Sequence, residues 1–210
     1  MTDFVKYPKT MHLHFSPGLQ NDDRVMPLNL LDREEEVVVT EKMDGENTTM
    51  YRNNIHARSI DSRYHPSRDW VKGFWASNVC FQIPLEHRIC GENMYAQHSI
   101  AYTELASYFY GFSYWNGDTC YSWDDTVYRL EFHGITPVPV LGRGKYSQEA
   151  IHQIVRDLDL ERQEGVVVRP ARAFDISEFP CVVGKWVRPD HVKTNDHWMH
   201  QEMKVNGLSS

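Results

Sequence analysis

Lys42 opens Lys42-Met43-Asp44-Gly45 directly after the apolar run Val37-Val38-Val39 and the pair Thr40-Glu41. A lysine beside a carboxylate and a glycine turn, at the end of a buried strand, is placed to attack a phosphorus atom. Its amine can lose a proton when neighbouring cations or desolvation lower its pKa, which an arginine guanidinium does not do. The same four residues also read as a strand end followed by a turn with a solvated lysine, and short motifs match by chance. Further along, Gly91-Glu92 and Glu164-Gly165-Val166-Val167-Val168-Arg169 set carboxylates at the edges of strand-like runs. Such oxygens suit hard divalent cations, although both segments also read as a polar strand face or a hairpin exit. The aromatic run at 108–114 is either core or a platform for a flat base.

The elements that must position these groups are mostly strands. Expected strands cover 37–40, 48–52, 55–59, 87–95, 108–115, 138–141, 165–169 and 181–187, with Asn53-Asn54 closing a hairpin and Asn116-Gly117-Asp118 a turn. Expected helices are fewer. Ser147 caps one with Ile151, Ile154, Val155 and Leu158 on its apolar face; a second spans 66–79, and a shorter third follows Ser122 through Val127 and Leu130. No repeat, low-complexity tract or interdomain linker interrupts the pattern. The expectation is a single α+β domain over 1–210, antiparallel sheets with helices packed on them.

At 210 residues, 41% hydrophobic and 24% charged, the chain is expected to be globular, cytoplasmic and without a membrane segment. Cys80, Cys90, Cys120 and Cys181 form no Cys-x-x-Cys pair, so reduced, mostly buried thiols are expected rather than a zinc knuckle or a disulfide frame. A net charge of −7 counts against a nonspecific nucleic-acid coat but leaves room for a local basic groove. Basic residues cluster at Arg52, His56, Arg58, Arg63, His65, Arg68 and Lys72, and again at Lys185, Arg188, His191 and Lys193; each cluster reads as a solvated face or as a phosphate track. Gly142-Arg143-Gly144-Lys145-Tyr146-Ser147 lacks phosphate-loop spacing and reads as a strand-to-helix turn. The pairs His12/His14 and His197/His200 have no metal-site partners nearby in sequence and read as surface histidines.

Six segments occur in a telling order: Glu41-Lys42-Met43-Asp44-Gly45, His56-Ala57-Arg58-Ser59, Cys90-Gly91-Glu92-Asn93, Tyr108-Phe109-Tyr110-Gly111-Phe112, Glu164-Gly165-Val166-Val167-Val168-Arg169 and Val183-Gly184-Lys185-Trp186-Val187. The pattern resembles the covalent nucleotidyltransferase superfamily of polynucleotide ligases and RNA capping enzymes. The opening Lys6-Tyr7-Pro8-Lys9-Thr10 and the closing Lys185-Trp186-Val187-Arg188-Pro189-Asp190-His191-Val192 narrow it to the phage-type ATP-dependent RNA ligases, over residues 6–198. The resemblance implies a nucleotidyltransferase (ATP-grasp-like ligase adenylation) domain acting with ATP and Mg²⁺ or Mn²⁺ on RNA 3′-hydroxyl and 5′-phosphate ends. A repair partner protein is a further expectation. Sealing would proceed through AMP attached to Lys42 and an adenylylated RNA 5′ end.

The resemblance also implies roles. Glu164 is the leading metal ligand, with Asp44 and Glu92 helping through the water shell, unless Glu92 accepts ribose hydroxyls instead. Phe112 stacks on adenine, with Phe109 and Tyr110 as alternatives; Glu41 accepts from the adenine amino group; Asp44 and Gly45 complete the nucleotide pocket. Arg58 binds phosphate or ribose, and Lys185 the α-phosphate. Where many relatives carry two lysines, this chain has Lys185 between Val183 and Val187, so Arg188 or Lys193 is expected to supply the missing cation. Arg63, Arg188 and Lys193 are also candidate RNA contacts. The residues at 199–210 are too few for a separate C-terminal OB or helical domain. The rival readings are a DNA ligase, a GTP-dependent capping enzyme, or a nucleic-acid-binding module without catalysis.

Overall fold

Three successive valines leave residues 37–39 without a polar face, and they form the start of β2 (Val37–Lys42), covered on both sides. Val37 and Val39 pack with Leu31, Ile151 and Trp186, whereas Val38 packs the opposite way against Met94, Tyr110 and Trp123. The computed structural model describes residues 4–20, 23–189 and 203–209.

Around β2 the chain lays down β1 (Met11–His12), β3 (Glu46–Met50), β4 (Ile55–Ala57), β5 (His87–Asn93), β6 (Phe109–Asn116), β7 (Thr119–Cys120), β8 (Thr136–Pro137), β9 (Val140–Gly144), β10 (Gly165–Pro170), β11 (Phe174–Asp175) and β12 (Gly184–Val187). The helices are α1 (Asp69–Phe74), α2 (Trp123–Phe132), α3 (Gln148–Arg156) and α4 (Phe179–Val182). Among the described residues the strands form two sheets. One runs β1-β12-β10-β2-β9; the other runs β11-β7-β6-β5-β3-β4, with β8 beside β6. The expected antiparallel arrangement holds except for the parallel pairs β1/β12 and β6/β8.

The expected helices form: Ser147 caps its helix as expected, accepting from the Ala150 amide at 3.3 Å, and Ser122 caps the helix that follows it, accepting from the Asp125 amide at 3.1 Å. The 66–79 helix is real but irregular. Pro66–Arg68 is a 3-10 turn, α1 follows, and Trp75–Val79 widens into a π turn whose Trp75 indole donates to the Tyr51 carbonyl at 2.7 Å. The expected strand at 181–187 is corrected. Pro180 falls in the first turn of α4, where its fixed φ and missing N–H are tolerated, so Cys181 is helical and the strand starts at Gly184. His12 is also corrected, since it is fully buried rather than on the surface.

Strand register brings the chemistry-bearing side chains together at two places. Lys42 pairs with Gly165, which places Glu164 beside it; a Cβ at Gly165 would lie on the Trp186 carbonyl oxygen, so the close approach of β12 requires glycine. In the other sheet Cys90 pairs with Ser113 and Gly91 with Gly111, leaving Phe112 as the extra residue of a β-bulge. Alternation is broken there, and Phe112 and Ser113 both turn toward the space between the sheets.

Candidate active site

Between the two sheets lies a cavity of about 630 Å³, within the size range of small-ligand sites. Thr40, Lys42, Val167 and Lys185 line it from the first sheet, and Asn47, Ala57, Glu92, Phe112 and Cys120 from the second. Glu41, Gly45, Arg58 and Arg68 also reach its wall.

Lys42 is half-buried and its Nζ contacts Glu164 Oε2 directly. Desolvation by itself would lower the Lys42 pKa, but the Glu164, Glu92 and Asp44 carboxylates outweigh it and hold the ammonium above its ordinary value. The expectation of an amine made neutral by its surroundings is thus corrected for this arrangement of charges. Glu92 has the reverse problem. Burial pushes its carboxyl well above the usual range, against Lys42, and Glu164, Asp44 and Glu46 add to the push. Its Oε2 is buried with no hydrogen-bond partner among the described residues.

A carboxyl whose folded pKa is raised stabilises the fold below its unfolded pKa, and that contribution is lost as pH rises through the folded pKa. Glu92 is therefore a cost at neutral pH. Glu92→Gln is expected to melt at a higher temperature than the parent at about pH 7.5, with the gap closing toward about pH 4 as both states of the parent protonate. A melting difference that does not change over that range would contradict the assignment.

The remaining candidates divide into those the fold brings to the cavity and those it does not. Glu41 is buried at the wall, accepts from Gln163 Nε2 at 2.9 Å, and is raised in pKa by burial. Arg58 is there with its Nε buried and without a hydrogen-bond partner among the described residues. Phe112 packs edge-on against Tyr7 with ring centroids 5.2 Å apart, whereas Phe109 and Tyr110 are buried in other cores. Gly45 is needed because a Cβ there would meet Met94 Sδ at 2.6 Å and the Asn93 carbonyl at 2.7 Å. Lys185 lines the wall with its pKa lowered, first by burial and then by Lys42.

Asp44 lies elsewhere. Its Oδ2 accepts from the Ser99 amide at 2.8 Å, the Ser99 hydroxyl at 2.7 Å and the Ile100 amide at 2.8 Å, so it fastens the 98–100 loop instead of facing the cavity. Glu164, the expected leading metal ligand, contacts Lys42 and is not among the residues that line the cavity. Arg188 is buried, donating to the Leu160 carbonyl and, at 3.5 Å, to Ser99 Oγ, and is no free substitute cation. Arg63 is exposed beside a separate 250 Å³ hollow that it lines with Lys72. Lys193, His197 and His200 lie outside the described residues.

Sequence reasoning gave Lys9 and Asp23 no role in the site and read Arg68 only as part of a basic cluster, yet all three line the wall. Arg68 is held by Glu46, with Nε to Oε2 at 2.7 Å and a second contact from NH2 to Oε1. Lys9 and Asp23 arrive from the segment around β1 and pair at 3.4 Å. The only signal for Lys9 was its place in the opening Lys6-Tyr7-Pro8-Lys9-Thr10.

Among the described residues no group of three His, Cys, Asp or Glu side chains is arranged to hold a metal ion. The carboxylates still fit a divalent cation of the nucleotide-bound kind, which takes one or two protein oxygens and fills its shell with phosphate oxygens and water. Glu92, with its orphaned oxygen, would be the main protein ligand and Glu164 its neighbour. Among the described residues no helix is long and apolar enough to cross a membrane.

The fold is similar to those of several solved ligases. An archaeal ATP-dependent RNA ligase matches with TM-score 0.59 and 16% identity, over 86% of this chain and 48% of that one. An Aquifex aeolicus protein provisionally assigned as an ATP-dependent DNA ligase matches with TM-score 0.54 and 20% identity, over 88% and 50%. A Naegleria gruberi RNA ligase variant solved with ATP and Mn matches with TM-score 0.53 and 17% identity, over 86% and 57%. At these identities the likeness is one of fold, and the chain spans about half the length of the solved chains it matches. No curated protein matches it. The family model described as RNA ligase matches residues 35–187, well over half of the 210, and with every motif from Lys42 to Lys185 inside that span the chain belongs to the RNA ligase family.

Proposed function

We propose that this chain is an ATP-dependent RNA ligase that seals 3′-hydroxyl and 5′-phosphate RNA ends through AMP carried on Lys42. The observation that carries the reading is Lys42 Nζ at the wall of the intersheet cavity in contact with Glu164, in a chain of the RNA ligase family. Lys42 passes a proton to Glu164, and its lone pair forms a bond to the α-phosphorus of ATP. The bridging P–O bond breaks, its electron pair leaves with pyrophosphate, and a second proton goes from the new phosphoramide nitrogen to water. An RNA 5′-phosphate oxygen then displaces Lys42 to take the adenylyl group, and a 3′-hydroxyl displaces AMP to join the strands.

Anionic groups meet in every step, so orientation and fixed positive charge supply most of the catalysis. Arg58, just past β4, and Lys185 in β12 give that charge, and Glu41, held by Gln163, takes the adenine amino group. A Mg²⁺ or Mn²⁺ ion beside Glu92, when bound, supplies further positive charge on the phosphate oxygens. Phe112 offers the adenine a stacking face, and base stacking on an aromatic ring is worth about 1–3 kcal/mol. Phe112→Ala should therefore raise the KM for ATP in self-adenylylation between about fivefold and 100-fold, and Phe112→Trp should restore it; an unchanged KM in the alanine variant would remove Phe112 from the nucleotide site.

Residues 1–210 act as a single adenylyltransferase unit in this reading, since Val38 of one sheet shares a core with Tyr110 of the other. The cytoplasm is the compartment, as all four cysteines are free. The test is intact-protein mass after stripping bound AMP with pyrophosphate and incubating with Mg²⁺ and ATP, GTP or NAD separately. An adenylyl gain from ATP alone supports the reading. A guanylyl gain moves it to capping, and no gain with any nucleotide overturns it. RNA and DNA strands offered to the adenylylated protein then decide the acceptor, because the 2′-hydroxyl distinguishes them.

A further inference from the structure

One end of the cavity is built around a single carboxylate that serves three basic groups. Asp23 Oδ1 lies 3.4 Å from Lys9 Nζ and 3.9 Å from Lys185 Nζ, while its Oδ2 lies 3.1 Å from His12 Nε2. His12 is fully buried, and its Nδ1 is 2.8 Å from Ser16 Oγ, which itself accepts from the Val187 amide at 3.0 Å. The parallel pairing of His12 with Lys185 places the segment carrying Lys9 alongside β12. Lys9, Asp23, Lys185 and Lys42 all face the same cavity.

This grouping has little value as a stabilising device. Lys9 is about one third exposed, and ion pairs of that kind contribute about 0–1 kcal/mol. The two lysines converge on one carboxylate oxygen at the wall of the cavity that Lys42 also lines. Such a site suits a small, multiply charged anion better than a phosphodiester, which carries a single charge per phosphorus. The multiply charged anion of self-adenylylation is the pyrophosphate that leaves when Lys42 bonds to the α-phosphorus.

We propose that Lys9 and Lys185, positioned by Asp23 on buried His12, form the subsite for the pyrophosphate portion of the nucleoside triphosphate. Lys9 thereby supplies the second cation that the residues flanking Lys185 do not. The proposal rests on the self-adenylylation reading and gives the start of the chain a function in the first chemical step only. As the bridging P–O bond breaks, the charge growing on the departing oxygen is met by the two ammonium groups, and Asp23 recovers them when pyrophosphate departs.

The test separates the steps. Lys9→Ala should slow self-adenylylation and pyrophosphate-driven release of AMP from the protein by about 10- to 100-fold, the value of a charge-assisted hydrogen bond. Sealing of RNA already adenylylated at its 5′ end, by protein stripped of AMP, should change by less than about twofold, and Lys9→Arg should recover most of the first-step rate. Inorganic pyrophosphate titrated calorimetrically into the parent and Lys9→Ala proteins gives a readout independent of the chemistry, with binding weakened in the variant. Equal losses in both steps would assign Lys9 to an RNA phosphate and overturn the proposal, as would an unaffected first step. A parent protein that takes up no adenylyl group yet binds pyrophosphate in a Lys9-dependent manner would overturn the ligase reading and leave the subsite standing.

Discussion

Lys42→Arg protein incubated with ATP and Mg²⁺ is expected to show no adenylyl mass gain and a melting temperature close to the parent's. The guanidinium keeps a positive charge against Glu164 but stays protonated, so it offers no lone pair to phosphorus. Lys42→Ala should lose the same activity by at least about 10⁴-fold, the scale on which removal of a nucleophile acts. It should also be less stable, because Glu164 and Glu92 are then buried without their cation. Comparing the two variants separates lost chemistry from lost stability. An adenylyl gain in the arginine variant would move the nucleophile to another residue.

Glu164→Gln should reduce self-adenylylation by about 10²- to 10³-fold, since in the proposed reaction it removes the group that accepts the Lys42 proton while keeping its volume. The pH dependence carries the sharper signature. In the parent, Lys42 is held above its ordinary pKa, so the neutral amine becomes more abundant with rising pH and the adenylylation rate should climb throughout the range below that pKa. Glu164 is the largest of the charges that raise it, so in Glu164→Gln the climb should be displaced to lower pH. Single-turnover rates measured across pH in both proteins check this. A displacement to higher pH, or none, would show that Glu164 does not control the Lys42 proton.

Comparing the expectations with the fold shows which physical information a linear chain carries. Ser147 caps its helix as read, and the helix expected after Ser122 starts there with Ser122 as its cap, because capping is decided within four residues. The buried valine strand ending in Lys42 is equally local, since Val37, Val38 and Val39 can be satisfied only with apolar cover on both faces. The failures came where a nearby or remote backbone decided. Pro180 turned residues expected as strand into α4. Asp44, two residues after Lys42 in sequence, was drawn away by amides of Ser99 and Ile100, more than fifty residues on. Which of Phe109, Tyr110 and Phe112 lines the cavity turned on the bulge opposite Cys90 and Gly91, which depends on how two strands pair.

The sequence by itself determined the residue types able to do the chemistry, the order of the motifs, the dominance of strands and the nucleophile candidate. Those follow from side-chain chemistry and from patterns a few residues long. Only the tertiary structure decided which groups face one another. The pairing of Lys42 with Gly165 brings in Glu164, the parallel lie of β1 against β12 brings Lys9 and Asp23 to Lys185, and the bulge turns Phe112 into the cavity. Register and sheet order are set by the summed burial of both sheets and helices, a property no short stretch of the chain contains.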